Sequence, residues 1–149
     1  MKKDLFSKNC VYGLKNRIGS LHNDTIPNWG KMNVSQMLAH CSGVLRNALG
    51  ETQQKRKLIG YFVAPFFKHR YYDAKPYKIK GGPTTVIIQD DRDFEYEKQN
   101  LIKLIEKFHY GNREKLKDSI NPILGKFTPE QWAIGQYKHI DHHLRQFGV

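Results

Sequence analysis

The sequence predicts an all-α fold: a four-helix bundle with a long crossover between its second and third helices. Four segments place their apolar residues at helical spacing. Two of them open on a reciprocal capping pattern. The one β-prone stretch, Thr84 to Ile88, has no second strand to pair with. The chain has 149 residues, the size of one domain and enough to bury a core without staples. Residues 1–149 are therefore read as a single domain.

The first helix is expected from Lys3 to Leu21, with Leu5, Phe6, Val11, Leu14, Ile18 and Leu21 near helical spacing. A loop, His22 to Met32, follows and carries Pro27 and Gly30. Asn33 is the N-cap of the second helix and Gln36, three residues on, completes the box. Its apolar stripe is Val34, Met37, Leu38, Cys41, Val44, Leu45 and Ala48, and Gly50 stops it. The crossover of about forty residues exceeds ordinary loop lengths, so it should hold helical structure of its own. Leu58 to Lys68 is expected to be a short buried helix, although Gly60 and Pro65 interrupt it. Tyr71 to Pro83 is expected to be irregular, and Thr84 to Ile88 an extended crossover.

The third bundle helix begins at Asp90, Asp91 and Asp93, acids suited to the positive end of a helix. Its inner face is Phe94, Leu101, Ile102, Ile105 and Phe108, with Gly111 as a left-handed stop. The fourth has Thr128 as N-cap, Pro129 at the first helical position and Gln131 closing the box. Trp132, Ala133, Tyr137, Ile140, Leu144 and Phe147 face inward, and Gly148 ends it. The expected core holds Met37, Leu38, Leu45, Leu101, Ile105, Ile140 and Leu144.

Lysine and arginine total 25 against 14 acids, a net charge of +11. That excess can steer anions or nucleic acid toward the surface. The lysines are spread through every segment, however, and the densest run is Lys55-Arg56-Lys57. No helix-turn-helix signature, RNP-like strand or zinc-finger spacing accompanies it, so nucleic-acid binding is not favoured. Cys10 and Cys41 lie in no CxxC pair, which excludes a thioredoxin-type motif and a cysteine zinc finger. Cys41 is read as a small buried hydrophobe. No membrane partner is expected, because the longest apolar run, Leu58 to Phe67, is about half a bilayer span. The start MKKDLFSKNCVYG is basic but has no apolar stretch behind it. No secretory signal is expected, and the setting is read as cytoplasmic.

Seven histidines are present. His139 and His143 are four apart, so a helix stacks them one turn apart, within reach of one metal ion. Chance places roughly 0.3 such pairs in a shuffled chain of this composition, so the pair alone is a weak signal. Helix phase adds to it. With His139 at zero and about 100° per residue, His143 falls near 40° and the core residues Ile140, Ala133 and Leu144 near 100–140°. Both histidines sit at the margin of the buried face, and His142, near −60°, turns toward Lys138 and solvent. His40 holds the equivalent margin of the second helix. Three histidines from two helices can therefore converge at one end of the bundle. His109 reads as a helix-end residue suited to the dipole.

The order of these residues resembles the DinB-like superfamily of metal-binding four-helix bundles. The likeness rests on His40 in Gln36-Met-Leu-Ala-His40-Cys41 and on the pair His139 and His143. The segment Pro27-Asn-Trp29-Gly30-Lys31-Met32-Asn33 and the ending His142-His143-Leu-Arg-Gln-Phe147-Gly look like a branch whose members are mostly described only as domains of unknown function. The resemblance implies that His40, His139 and His143 hold one divalent metal. Relatives in the superfamily include transferases and isomerases that use low-molecular-weight thiols. The implied activity is a metal-dependent thiol transfer or a related hydrolysis, with a small thiol as substrate.

Three neutral imidazoles leave coordination positions open, as in a catalytic metal site. Zinc, nickel, iron or manganese would accept them. Gln36 and Gln136 precede their histidines by about one turn and are candidates to line the pocket or orient ligands, although helix-surface glutamines are common. Trp132, near 20° on the same wheel, is a candidate pocket wall or plain core. Trp29 is expected to pack the loop over the bundle end. A homodimer is also expected, from the superfamily and from the aromatic segment Tyr61, Phe62, Phe66, Phe67, Tyr71 and Tyr72. The competing class is a basic helical bundle, not an enzyme, that binds nucleic acid or a partner protein.

Overall fold

A computed structural model describes residues 2–52, 54–78, 86 and 88–149. The chain is mostly helical. Helix α1 spans Lys8–Gly19, α2 Val34–Ala48, α3 Leu58–Tyr72, α4 Phe94–Tyr110 and α5 Pro129–Gln146. A 3₁₀ turn, Arg113–Asp118, leads into two short antiparallel strands, β1 Ile120–Asn121 and β2 Gly125–Lys126. Ile120 is paired with Lys126 and Asn121 with Gly125. Among the described residues no helix is long and apolar enough to cross a membrane.

The capping chemistry sets most helix ends. In α2 the Asn33 side chain accepts the Gln36 N–H at 2.8 Å, and the Gln36 carbonyl oxygen accepts the Asn33 N–H at 3.1 Å. Thr128 and Gln131 make the same exchange at the start of α5. Asp93 caps α4 by accepting the Tyr96 N–H at 2.7 Å. Gly50 and Gly148 end their helices at φ of +73° and +78°, the left-handed region that glycine enters without penalty.

Two ends differ from expectation. Helix α1 starts at Lys8 because the Asp4 carboxylate accepts the N–H groups of Phe6 and Ser7, a local turn that competes with helix. Leu5 and Leu21 reach the core from outside the helix. Gly111 is extended, not left-handed, at φ −75° and ψ 172°. A Cβ there would lie 2.5 Å from the Lys107 carbonyl oxygen, so glycine is needed for room.

The core lies between α1, α2, α4 and α5: α2 and α1 both pack on α4, and both also touch α5. All seven expected core residues are fully enclosed. Cys41 is buried beside Met37, and burial pushes its thiol pKa up, in keeping with a small hydrophobe.

The crossover does hold a helix, but α3 is longer than expected and is not buried. It packs on α5 and buries Gly60, Ala64 and Tyr71, while Leu58, Phe62 and Phe66 are 82%, 75% and 78% exposed. Two glycines seat it. A Cβ on Gly60 would meet the Ile123 carbonyl oxygen at 2.3 Å, and one on Gly135 would meet the Tyr71 ring at 1.9 Å. Helix α3 also runs through Tyr71 and Tyr72, which were expected to be irregular. Thr84, Thr85 and Ile87 of the expected extended stretch, and residues 79–83 before it, lie outside the described residues. Val86 and Ile88 have no regular secondary structure. The sequence reading did not anticipate the 3₁₀ turn or the ribbon.

Candidate metal centre

His40 lies in the second turn of α2, and His139 and His143 one turn apart near the end of α5. The structure brings the three together: one ring nitrogen from each lies within 4.8 Å of the others. The ring centroids are 5.0 Å apart for His40 and His139, 4.8 Å for His40 and His143, and 4.7 Å for His139 and His143. His40 is buried, and the other two are half-buried.

The hydrogen bonds assign the ring protons. His40 Nδ1–H donates to the Val86 carbonyl at 2.7 Å. A carbonyl only accepts, so the proton sits on Nδ1 and Nε2 is bare. His143 Nδ1–H donates to Gln146 Oε1 at 2.8 Å, and the Gln146 amide is oriented because its Nε2 donates to the Trp29 carbonyl at 2.6 Å. His143 Nε2 is therefore bare too. His40 Nε2 and His139 Nε2 lie 3.1 Å apart, so without a cation His139 must supply the proton between them. Among the described residues His139 Nδ1 has no hydrogen-bond partner.

This donor set fits a divalent cation. Two nitrogens each about 2.1 Å from one ion stand roughly 3.0–3.4 Å apart at right-angled to tetrahedral geometry, and the observed 3.1 Å falls in that range. Anchoring the far N–H on a carbonyl or amide oxygen is the usual way to aim a ligating imidazole. Electrostatics point the same way. Burial pulls the pKa of His40 down against the opposing Val86 bond. Burial, then His143, His40 and His142, drive that of His139 well below its ordinary value. Burial, followed by His40, brings His143 to about 3. All three are neutral near pH 7, the form that ligates.

Gln36, Gln136 and Trp132 are engaged elsewhere, and among the described residues none of them bonds a histidine of this centre. Gln36 is committed to the capping box, and its amide also donates to the Asp90 carbonyl at 3.3 Å. Gln136 is buried and donates to the Tyr71 hydroxyl at 2.8 Å. Trp132 is buried edge-on to Tyr71 and Phe127. Both stand in the joint between α3 and α5. Trp29 covers the end of α5, its ring 6.0 Å from that of His142.

His142 does not face solvent. It is buried between Trp29 and Tyr77, because the loop before α2 and the chain after α3 fold over that side of α5. Lys138 is buried as well, donating to Asp73 and to the Arg70 carbonyl. His109 Nδ1–H donates to the Leu5 carbonyl at 2.9 Å, tying the end of α4 to the N-terminal segment.

Sequence reasoning missed Gln146 and the Val86 carbonyl. The first had a signal, since His143 and Gln146 share the i, i+3 spacing of one helix face. The second had none. Gly43 permits it: a Cβ there would lie 2.8 Å from Val86 Cγ1, so the bare helix surface lets the crossover settle onto His40.

Compared with known proteins, the chain matches no curated protein and no solved structure. A family model described as "Protein of unknown function (DUF1569)" matches residues 12–148, a span that contains both helices of the histidine centre, and the chain belongs to that family.

Proposed function

We propose that this protein is a DinB-like four-helix bundle acting as a metal-dependent enzyme, with one divalent cation held by His40, His139 and His143. The bundle reading is supported by the core shared among α1, α2, α4 and α5, with α3 carried in the crossover. The observation that carries the metal reading is the convergence of three neutral imidazoles, two of them with the far N–H anchored. A cation there would supply a Lewis acid that activates a thiol or a water. The substrate class in this reading is a low-molecular-weight thiol together with an electrophile, or a hydrolysable relative of that product. Its setting is the cytoplasm, where thiols stay reduced.

The chain's own residues have definite parts. The Val86 carbonyl and Gln146 keep protons on the far nitrogens, so that Nε2 lone pairs face the centre. Burial keeps the imidazoles neutral. Trp29, His142 and Tyr77 wall one side. His139 and His143 are only half-buried, and theirs is the side from which a substrate would approach.

The test uses protein purified without a histidine tag, dialysed against zinc, nickel, iron(II) or manganese in turn. Free thiol is then followed in the presence of an electrophile. Metal-loaded wild type should consume thiol faster than the His143→Ala variant. Equal rates for both would rule out the enzymatic reading, even where metal binds.

A further inference from the structure

The exposed face of α3 contributes no residue to the histidine centre and has no part in the proposed chemistry. Leu58, Phe62 and Phe66 recur four residues apart, so they form one line along the helix, with Ile59 and Phe67 beside them. Cations flank this line at both ends: Lys55, Arg56 and Lys57 before it, Lys68 and Arg70 within its last turns. Between Glu51 and Asp73 the chain carries those five and no carboxylate. None of the five forms an ion pair among the described residues. Arg56 instead lies over the Tyr61 ring at 3.9 Å, and its Nε is buried without a hydrogen-bond partner among the described residues. The three basic residues sit at the positive end of the helix dipole, the end that favours an anion.

A cleft of about 390 Å³ opens beside the same helix. Arg56, Lys68, His69 and Lys126 supply its polar lining, with no acid among the lining residues. An aromatic and aliphatic ridge thus stands next to a basic cleft on one side of the molecule.

We propose that this side is a docking surface for an anionic lipid bilayer, with α3 lying in the interface and acidic headgroups on Arg56, Lys68, Lys126 and the Lys55–Lys57 run. Apolar burial and attraction to anionic headgroups together drive such helices onto membranes. The expectation of no membrane partner rested on the length of Leu58 to Phe67. Length bears on spanning a bilayer, not on lying at its surface. The rival occupant, a second copy, is disfavoured by charge, because its own α3 would bring five more cations and no carboxylate against these.

The experiment is flotation of the full-length chain with phosphatidylcholine vesicles, with and without phosphatidylglycerol. Light scattering is run on the same samples. Wild type should bind the phosphatidylglycerol vesicles at least about tenfold better than the neutral ones, and less as salt rises. A Phe62→Ser, Phe66→Ser variant should lose at least about tenfold of that binding. Both positions are exposed, so retained helical circular dichroism marks the variant as folded. A Lys55→Glu, Lys57→Glu variant should lose the preference for anionic vesicles. The proposal is overturned if wild type does not float with phosphatidylglycerol vesicles. Unchanged binding by the folded Phe variant also overturns it. So does a wild-type dimer that the Phe variant turns into monomers.

Discussion

Three imidazoles share one small volume with protons assigned by their partners. Gln146 decides the proton on His143 and is itself held by the Trp29 carbonyl. Replacing it should weaken metal binding without removing a ligand. Gln146→Leu is expected to lower zinc affinity by about 10–100-fold, read by competition with a chromophoric chelator. Unaltered affinity would show that His143 needs no such anchor. The same side chains make the metal-free protein acid-sensitive. The pKa values of His40, His139 and His143 are all lowered by folding, so below about 6.5 the unfolded chain binds more protons than the folded one. Their contribution is whole above that pH and is lost as pH falls toward about 3, where His143 titrates in the fold. Each imidazole can contribute a slope of at most about 1.4 kcal/mol per pH unit. Melts in chelator at about pH 7 and about pH 5 should therefore show a clear fall in midpoint, and a smaller fall for His143→Gln. The convergence of His40, His139 and His143 was legible in the sequence because helix phase places them on matching margins and their order resembles that of the superfamily. The burial of His142 and the anchor on His40 were not legible, since both come from segments whose path no periodicity encodes.

Among the elements, α2 and α5 were readable down to their N-caps, because a capping box depends on residues three apart, whereas in α4 the acidic cluster marked the start without singling out Asp93, and Gly111 ends the helix extended. Helix α3 was legible as helix but not as surface. Its apolar residues surround the helix, so no stripe marks the inner side. What seats it is the absence of side chains at Gly60 and Gly135, which a pattern of apolar residues does not register. That gives a paired expectation. Gly135→Ala should destabilise by about 1–3 kcal/mol, because the Tyr71 ring would have to move. Gly13→Ala, where among the described residues nothing but the helix's own backbone lies within 4 Å of the new methyl, should stabilise by about 0.5–1 kcal/mol. Urea melts check both, and a stabilised Gly135→Ala would mean that α3 is not fixed at Tyr71. The ribbon between the 3₁₀ turn and α5 was illegible for a simpler reason: strands of two residues carry no alternation to detect.

At the scale of the molecule, the core and the histidine centre are separable. Leu38, Leu45, Leu101, Ile105, Ile140 and Leu144 are fully enclosed in one apolar cluster, so a domain of this size should stay folded without metal. Far-ultraviolet circular dichroism in chelator should keep its helical signal at neutral pH, and its collapse would assign the cation a structural role. Binding of one divalent ion by His40, His139 and His143 is read from metal content, by elemental analysis of tag-free wild type beside His40→Ala, His139→Ala, His143→Ala and His142→Ala. Close to one ion per chain is expected for wild type and His142→Ala, with most of it lost in each of the other three. That ligand set is contradicted if wild type binds no ion at equilibrium, or if His142→Ala empties the site and His143→Ala does not.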